Sequence, residues 1–234
     1  MKTTLIGFGE YSERVLEKCG STADAAVADI TQFEALSQGG GTLITVSHGD
    51  DIGWLTKPRS SAFEQEVNYV IIPYGQRERL EEIHKLAAGR NVVFIPQRPV
   101  KAADESDYYS RCILDAAESI KALIKLIKSY YGGMMAIDAE DLHKVLSYGD
   151  NTYKAIFSVS DDSIDECIEK VRSHRLVRSK PVMVLYEAFF PDGCDMEQAE
   201  KLRSVFDKSV SGLYLNDNCT PEVVVVAVYD KAPE

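Results

Sequence analysis

The chain has 234 residues, 45% hydrophobic and 27% charged, a globular composition with length for one large or two small domains. Its formal net charge of -11 leaves no lysine and arginine stripe to neutralise a phosphate backbone, so nucleic acid is excluded as a partner. No apolar run approaches the roughly 20 residues that span a bilayer, and Met1-Lys2-Thr3 opens directly on a strand, so neither a transmembrane segment nor a signal peptide is expected. The five cysteines (Cys19, Cys112, Cys167, Cys194, Cys219) have no metal-like spacing and read as reduced thiols of a cytoplasmic protein.

The first part of the chain alternates strand and helix. Thr3–Gly7 is an apolar strand, and Tyr11–Cys19 a helix with Val15 and Leu16 inward. Ala25–Ile30 is a second strand, followed by a helical turn over Ile30–Leu36. The run Gln38-Gly39-Gly40-Gly41 breaks the chain before a third strand, Thr42–Ser47. Gly49–Gln65 is irregular, Val67–Pro73 a fourth strand, Gln76–Ala88 an amphipathic helix and Asn91–Pro96 a fifth strand. This alternation predicts a parallel, doubly wound sheet over residues 1–103.

A long helix follows, from Asp104 to Tyr131, and forms its own segment (104–131). Its apolar residues, among them Cys112, Ile113, Ala116, Ala117, Ile120, Leu123, Ile124 and Ile127, recur at three and four for about seven turns. Asp104 or Ser106 caps its start, and Gly132-Gly133 stops it. At ~1.5 Å per residue it is about 40 Å long, enough to serve one lobe before it and one after. Residues 132–234 then read as a small two-layer α+β domain with a mixed sheet. Its elements are a helix Ala139–Leu146, a strand Tyr153–Val159, a helix Asp161–His174 capped by Asp161 or Asp162, and a strand Val182–Glu187. A helix Asp195–Lys208 and strands Val210–Asn216 and Glu222–Tyr229 complete it, the last two expected as an antiparallel hairpin.

The loops carry the chemistry. Gly7-Phe8-Gly9-Glu10-Tyr11 joins a strand to a helix, the geometry that cradles phosphate, although Glu10 brings negative charge where a phosphate would lie. A tight strand-to-helix turn explains the same residues. The loop Ser47-His48-Gly49-Asp50-Asp51-Ile52-Gly53 carries two carboxylates that repel anions. Asp50 and Asp51 alone do not make a cation site, and no metal is expected. The four histidines are scattered, and no serine or cysteine has a nucleophile's neighbours. Asp138-Ala139-Glu140-Asp141 suits a helix start, with Asp138 as cap.

Gly133-Met134-Met135-Ala136-Ile137-Asp138-Ala139-Glu140-Asp141-Leu142 resembles the synergy loop of the FtsZ family, GLINVDFADV. The order of elements is similar as well. TTLIGFGEYSERVLEKC is placed like VIGVGGAGNNAVNRM, Asp29–Leu36 like the NTDAQAL segment, and Asn91–Gln97 like the TLIVIPN strand. The part after Pro181 has the layout of the family's C-terminal activation domain. The resemblance implies the FtsZ/tubulin fold across nearly the whole chain, with a Rossmann-like domain, a central helix and a mixed-sheet domain.

It also implies site residues. Asp138 and Asp141 stand where the family's catalytic synergy-loop acids stand, and Gly7, Gly9, Gly49 and Asp115 fall in or beside its nucleotide-binding segments. Departures bear on that reading. The glycine signature GGGTGTG is replaced by Ser47–Gly53, GGAGNN by Gly9-Glu10-Tyr11-Ser12, and the loop asparagine by Ala136. Asp115 lies within about one residue of the family's base-contacting position, and the accompanying aromatic has no clear counterpart. The expectation is therefore an FtsZ-like cytoskeletal or membrane-remodelling assembly component with degenerate GTP loops and no bound cofactor. Its partners would be itself, a genuine FtsZ-type protein, or membrane-associated proteins. The alternatives are a divergent GTP-binding GTPase of the family and an interaction module that reuses the fold.

Overall fold

The computed structural model describes residues 3–20, 25–28, 42–47, 68–72, 92–96, 104–129, 137–149, 152–191, 195–206, 209–215 and 220–231. The chain forms two compact units, Met1–Lys121 and Ala122–Glu234.

In the first unit, β1 (Thr3–Phe8), β2 (Ala25–Ala28), β3 (Thr42–Ser47), β4 (Asn68–Ile72) and β5 (Val92–Pro96) form one sheet in the order β2-β1-β3-β4-β5. Every pairing in it is parallel. Leu5, Ile6, Ile44, Val46, Ile71 and Ile95 are buried, as the near-continuous apolar strands of a parallel sheet require. The helix α1 (Gly9–Cys19) leaves β1 directly and buries Tyr11, Ser12, Val15 and Cys19. The sequence reading of Ile30–Leu36, Gly49–Gln65 and Gln76–Ala88 lies outside the described residues.

The long helix α2 is Glu105–Ser129 and belongs to both units by sequence. Asp104 begins it by accepting the Asp107 N–H at 2.7 Å, one of the two caps expected. From Ile120 to Ile127 only Lys121 is exposed and Lys125 half-buried; Ile120, Ala122, Leu123, Ile124, Leu126 and Ile127 are all buried. A helix so apolar around its circumference has to be covered on more than one side.

The second unit holds β6 (Tyr153–Ser160), β7 (Met183–Phe190), β8 (Ser209–Leu215) and β9 (Glu222–Tyr229) in the order β6-β9-β7-β8. The expected β8–β9 hairpin does not form. β9 is antiparallel to β6 and β7, whereas β8 lies parallel to β7 on the far side. The reason is burial. Glu222–Tyr229 reads EVVVVAVY and is buried from Val223 to Tyr229, so it belongs between two strands, covered on both faces. Parallel pairing of β7 and β8 needs a crossover, which the helix α6 (Met196–Arg203) supplies between them.

Among the described residues of this unit lie three further helices: α3 (Ala139–Leu146), α4 (Ile164–Ser173) and the short α5 (Arg175–Arg178). The cap of α4 differs from expectation. Ser163 accepts the Glu166 N–H at 3.2 Å and donates its hydroxyl to Glu166 at 2.8 Å, so the helix starts later than Asp161. Asp161 instead accepts the Asp162 N–H and faces Lys170 at 3.3 Å. The helix expected to reach Lys208 stops at Arg203, and Phe206 just beyond it stacks on Tyr186 with ring centroids 5.0 Å apart. Cys19, Cys112 and Cys167 are buried thiols.

Ile124 tests the demand for burial along α2. Ile124→Ala removes a side chain that is 3% exposed and should cost about 2–5 kcal/mol, out of a total of ~5–15 kcal/mol for a domain. Denaturant titration checks it; an unchanged midpoint would place this stretch of α2 outside the core.

Candidate functional site

The first sheet reverses its strand order at β1. The chain steps from β1 outward to β2, then returns to the other side of β1 for β3. In open parallel sheets ligands bind outside the carboxyl ends of the strands at such a reversal. Phe8 and Ser47 are register partners, so β1 and β3 end side by side. Topology alone therefore makes this the candidate site, and it is where Gly7 and Gly9 stand. Gly49, with its neighbours Asp50 and Asp51, lies outside the described residues.

Each of the two glycines has a local reason. Gly9 has φ +79°, a backbone that L side chains avoid, and it lets the chain turn from β1 straight into α1. Gly7 is a close approach: a Cβ there would meet the Cβ of Ser12 at 2.9 Å and Cδ1 of Leu16 at 3.0 Å. Ser12 is fully buried and donates its hydroxyl to the Val46 carbonyl at 2.7 Å, which ties the first turn of α1 to the end of β3. The space beside Gly7 is thus filled by protein. Glu10 is exposed and pairs with Arg14 at 2.5 Å, so much of its charge is answered by a cation of the same helix.

Aromatic side chains join α1 to the N-terminal half of α2. Tyr109 lies edge-on to Tyr11 at 5.7 Å, and the Arg14 guanidinium stands over the Tyr109 ring at 5.7 Å. The Tyr11 hydroxyl donates to the Cys112 carbonyl at 3.2 Å, fixing α1 on α2. Asp115 is half-buried on α2, within a turn of Cys112. The two tyrosines come from distant parts of the chain, so no spacing rule could join them.

Asp138 and Asp141 lie in the second unit. The Asp138 carboxylate accepts the Asp141 N–H at 2.8 Å as the N-cap of α3, and Asp138 is exposed. Glu140 pairs with Lys144 at 2.9 Å, and that bond holds the lysine above its ordinary pKa. The two acids are joined by a cap, a structural duty that Asp138 performs whatever else it does. Ala136 lies outside the described residues.

A carboxylate that sequence reasoning passed over is Glu187. The expected strand ends at Glu187, yet β7 continues to Phe190 and Glu187 is its middle, fully buried. One oxygen accepts from the Ser129 hydroxyl in the last turn of α2, and the other has no hydrogen-bond partner among the described residues. Burial pushes its pKa up from 4.5 to about 7, with the Ser129 contact opposing the shift in part. The signal in the sequence was a lone acid inside VMVLYEAFF.

Two expectations follow from these acids. Asp138→Ala should cost about 1 kcal/mol through the lost cap, whereas Asp138→Asn keeps an acceptor there and should be close to neutral. That loss corresponds to a drop of about 2–4 °C in melting temperature, and equal melting of the two variants would show that the cap carries nothing. Glu187 holds its proton in the folded chain between pH 4.5 and about 7, where the unfolded chain has released it. Stability contributed by that proton is fully present below the unfolded value and is lost as pH rises through the folded one, by about 3 kcal/mol in all. Glu187→Gln should flatten this slope in denaturant midpoints measured across the window. A variant with the wild-type slope would assign the proton elsewhere.

At the level of sequence, no family model and no curated protein matches the chain. Solved structures do match over almost its full length. CetZ from Methanosaeta thermophila is 12% identical with a TM-score of 0.63, covering 99% of this chain and 87% of its own. An empty FtsZ dimer from M. jannaschii is 14% identical with a TM-score of 0.60, covering 97% and 88%. TubZ from Bacillus thuringiensis serovar israelensis, in GDP-form protofilaments, is 11% identical with a TM-score of 0.57, covering 98% and 85%. With a parallel sheet reversing at β1, a long helix shared by both units and a mixed second sheet, the chain carries a divergent form of the FtsZ/tubulin-superfamily fold.

Proposed function

We propose that the protein is an assembly component of an FtsZ-like cytoskeletal or membrane-remodelling system, acting by subunit association and holding GTP weakly or not at all. The observation that carries this reading is the charge at the turn after β1. A strand leading into a helix offers backbone amides to a phosphate, but here Glu10 sits in the first turn of α1 and brings a carboxylate to that place. The neighbouring loop adds Asp50 and Asp51 by sequence. A carboxylate ~4 Å from a phosphate oxygen costs on the order of 1–4 kcal/mol, so two or three would cancel most of a micromolar affinity of ~8 kcal/mol.

The fold neighbours support association as the activity. The matched FtsZ is described as a dimer and the matched TubZ as protofilaments and a two-stranded filament. A filament of such subunits joins one face of a protomer to the opposite face of the next, a contact that repeats without closing. Here Asp138 and Asp141 of the synergy-loop side are retained while the glycine loops are replaced. A protomer with one retained face would dock on a genuine FtsZ-type filament, or on its own kind, and cap or modulate growth. A second reading, a GTPase with altered loops, is favoured by Tyr11, Arg14 and Tyr109, which place an aromatic edge and a guanidinium beside α1 and offset Glu10.

Calorimetric titration with GTP and magnesium separates the two. The first reading expects a dissociation constant weaker than about 1 μM; tighter binding would favour the second. Mixing the protein with FtsZ from the same organism, while following polymer mass and GTP turnover, tests association. Wild-type protein should alter both at equimolar ratio, and Asp138→Asn with Asp141→Ala should remove the effect while the chain stays folded. An unchanged polymer would remove the capping role.

A further inference from the structure

The net charge of -11 hides a local reversal. Between Glu169 and Glu187 the sequence holds Lys170, Arg172, Arg175, Arg178 and Lys180, and no acid. Lys170 pairs with Asp161 and Arg172 with Glu169, so these two are answered. Arg175, Arg178 and Lys180 are exposed and have no ion-pair partner among the described residues. Arg175 and Arg178 are three apart on α5 and so share one of its faces. Lys180 has φ +53°, a left-handed backbone that glycine would hold without strain. The turn itself therefore has no need of a lysine.

These cations stand at one end of the second unit, where β9 finishes. The Tyr229 hydroxyl donates to the Leu176 carbonyl at 2.7 Å and ties α5 to the last residue of that strand. The Val182 N–H donates to the Val228 carbonyl at 2.8 Å, so the turn after Lys180 enters the sheet at the same end. Tyr153, the first residue of β6, is the register partner of Tyr229. Just ahead of it the Thr152 hydroxyl donates to the Tyr148 carbonyl at 2.6 Å. Two large apolar side chains are exposed here, Tyr148 at 43% and Val182 at 38%. Asp230 and Lys231, exposed just beyond β9, cancel each other in net charge.

We propose that this end of the second unit, with Arg175, Arg178 and Lys180 beside Tyr148 and Val182, is a docking surface for an anionic lipid bilayer. The cations meet lipid phosphates, while the tyrosine ring and the valine enter the headgroup layer. An acidic peptide would need only the cations; exposed apolar side chains at the same end fit a bilayer. The acids elsewhere on the chain are screened beyond about 8 Å at physiological salt, so they do not prevent docking by this end. Three cations gathered at one end are too few to neutralise a nucleic-acid backbone. The surface is independent of whether the chain binds GTP or extends a filament.

Co-sedimentation of the full chain with phosphatidylcholine vesicles, with and without phosphatidylglycerol, tests this surface. The chain should bind the anionic vesicles, leave the neutral ones, and bind less as salt rises. Each cation near a bilayer is worth about fivefold in affinity, so Arg175→Gln with Arg178→Gln should weaken binding by about 25-fold. Lys180→Gly should weaken it about fivefold yet melt close to wild type, because the strain it removes offsets the chain entropy of glycine. Lys201→Gln removes a cation of α6 that pairs with Asp165 and Glu197, and should bind as wild type does. No binding to anionic vesicles, or equal binding to neutral ones, would overturn the proposal. So would wild-type affinity in either cation variant, or a loss in Lys201→Gln as large as that in Lys180→Gly. Capture of a polyglutamate peptide with none of the vesicles would assign the cations to an acidic protein instead and overturn it too.

Discussion

The burial of α2 on more than one side constrains every polar residue along it. Between Ile120 and Ile127 its apolar side chains leave little circumference for solvent, so the few polar residues there need prepared partners. Lys125 meets the Glu222 carboxylate and the Phe189 ring, and Ser129 meets its own Leu126 carbonyl and Glu187. In the first unit the same helix receives the Tyr11 hydroxyl, and the Cys19 thiol lies 4.0 Å from the Ala117 carbonyl. These polar groups are thus part of how the helix is held.

Most of the architecture was legible because it is written in local periodicity. The three-and-four spacing of α2, the apolar strands of the first sheet and the caps at Asp104 and Asp138 all act within a few residues. The hairpin expectation fails because β8 and β9, neighbours in sequence, are not neighbours in the sheet. The uninterrupted valines of β9 carried the contrary signal: a strand apolar at every position belongs in the middle. Ser163 took the cap of α4 because its hydroxyl and the Glu166 carboxylate satisfy each other, a reciprocity the acidic pair before it lacks.

The candidate site was legible only in part. Gly9 and Gly7 could be recognised as a strand-to-helix turn, but whether their space was open or filled depended on Ser12 and Leu16 in three dimensions. The Tyr11–Arg14–Tyr109 cluster joins two helices, and Glu187 matters only because β7 runs on past it. Chemistry made by tertiary adjacency leaves no spacing to read.

The buried thiols give the two units separate clocks. Burial pushes Cys19, in the first unit, and Cys167, in the second, up to about 11, so neither is an effective nucleophile near neutrality while its unit is closed. A thiol reagent therefore reacts at each site at the rate at which that unit opens. Peptide mapping of the modified cysteines would tell whether the halves of this chain breathe together or apart.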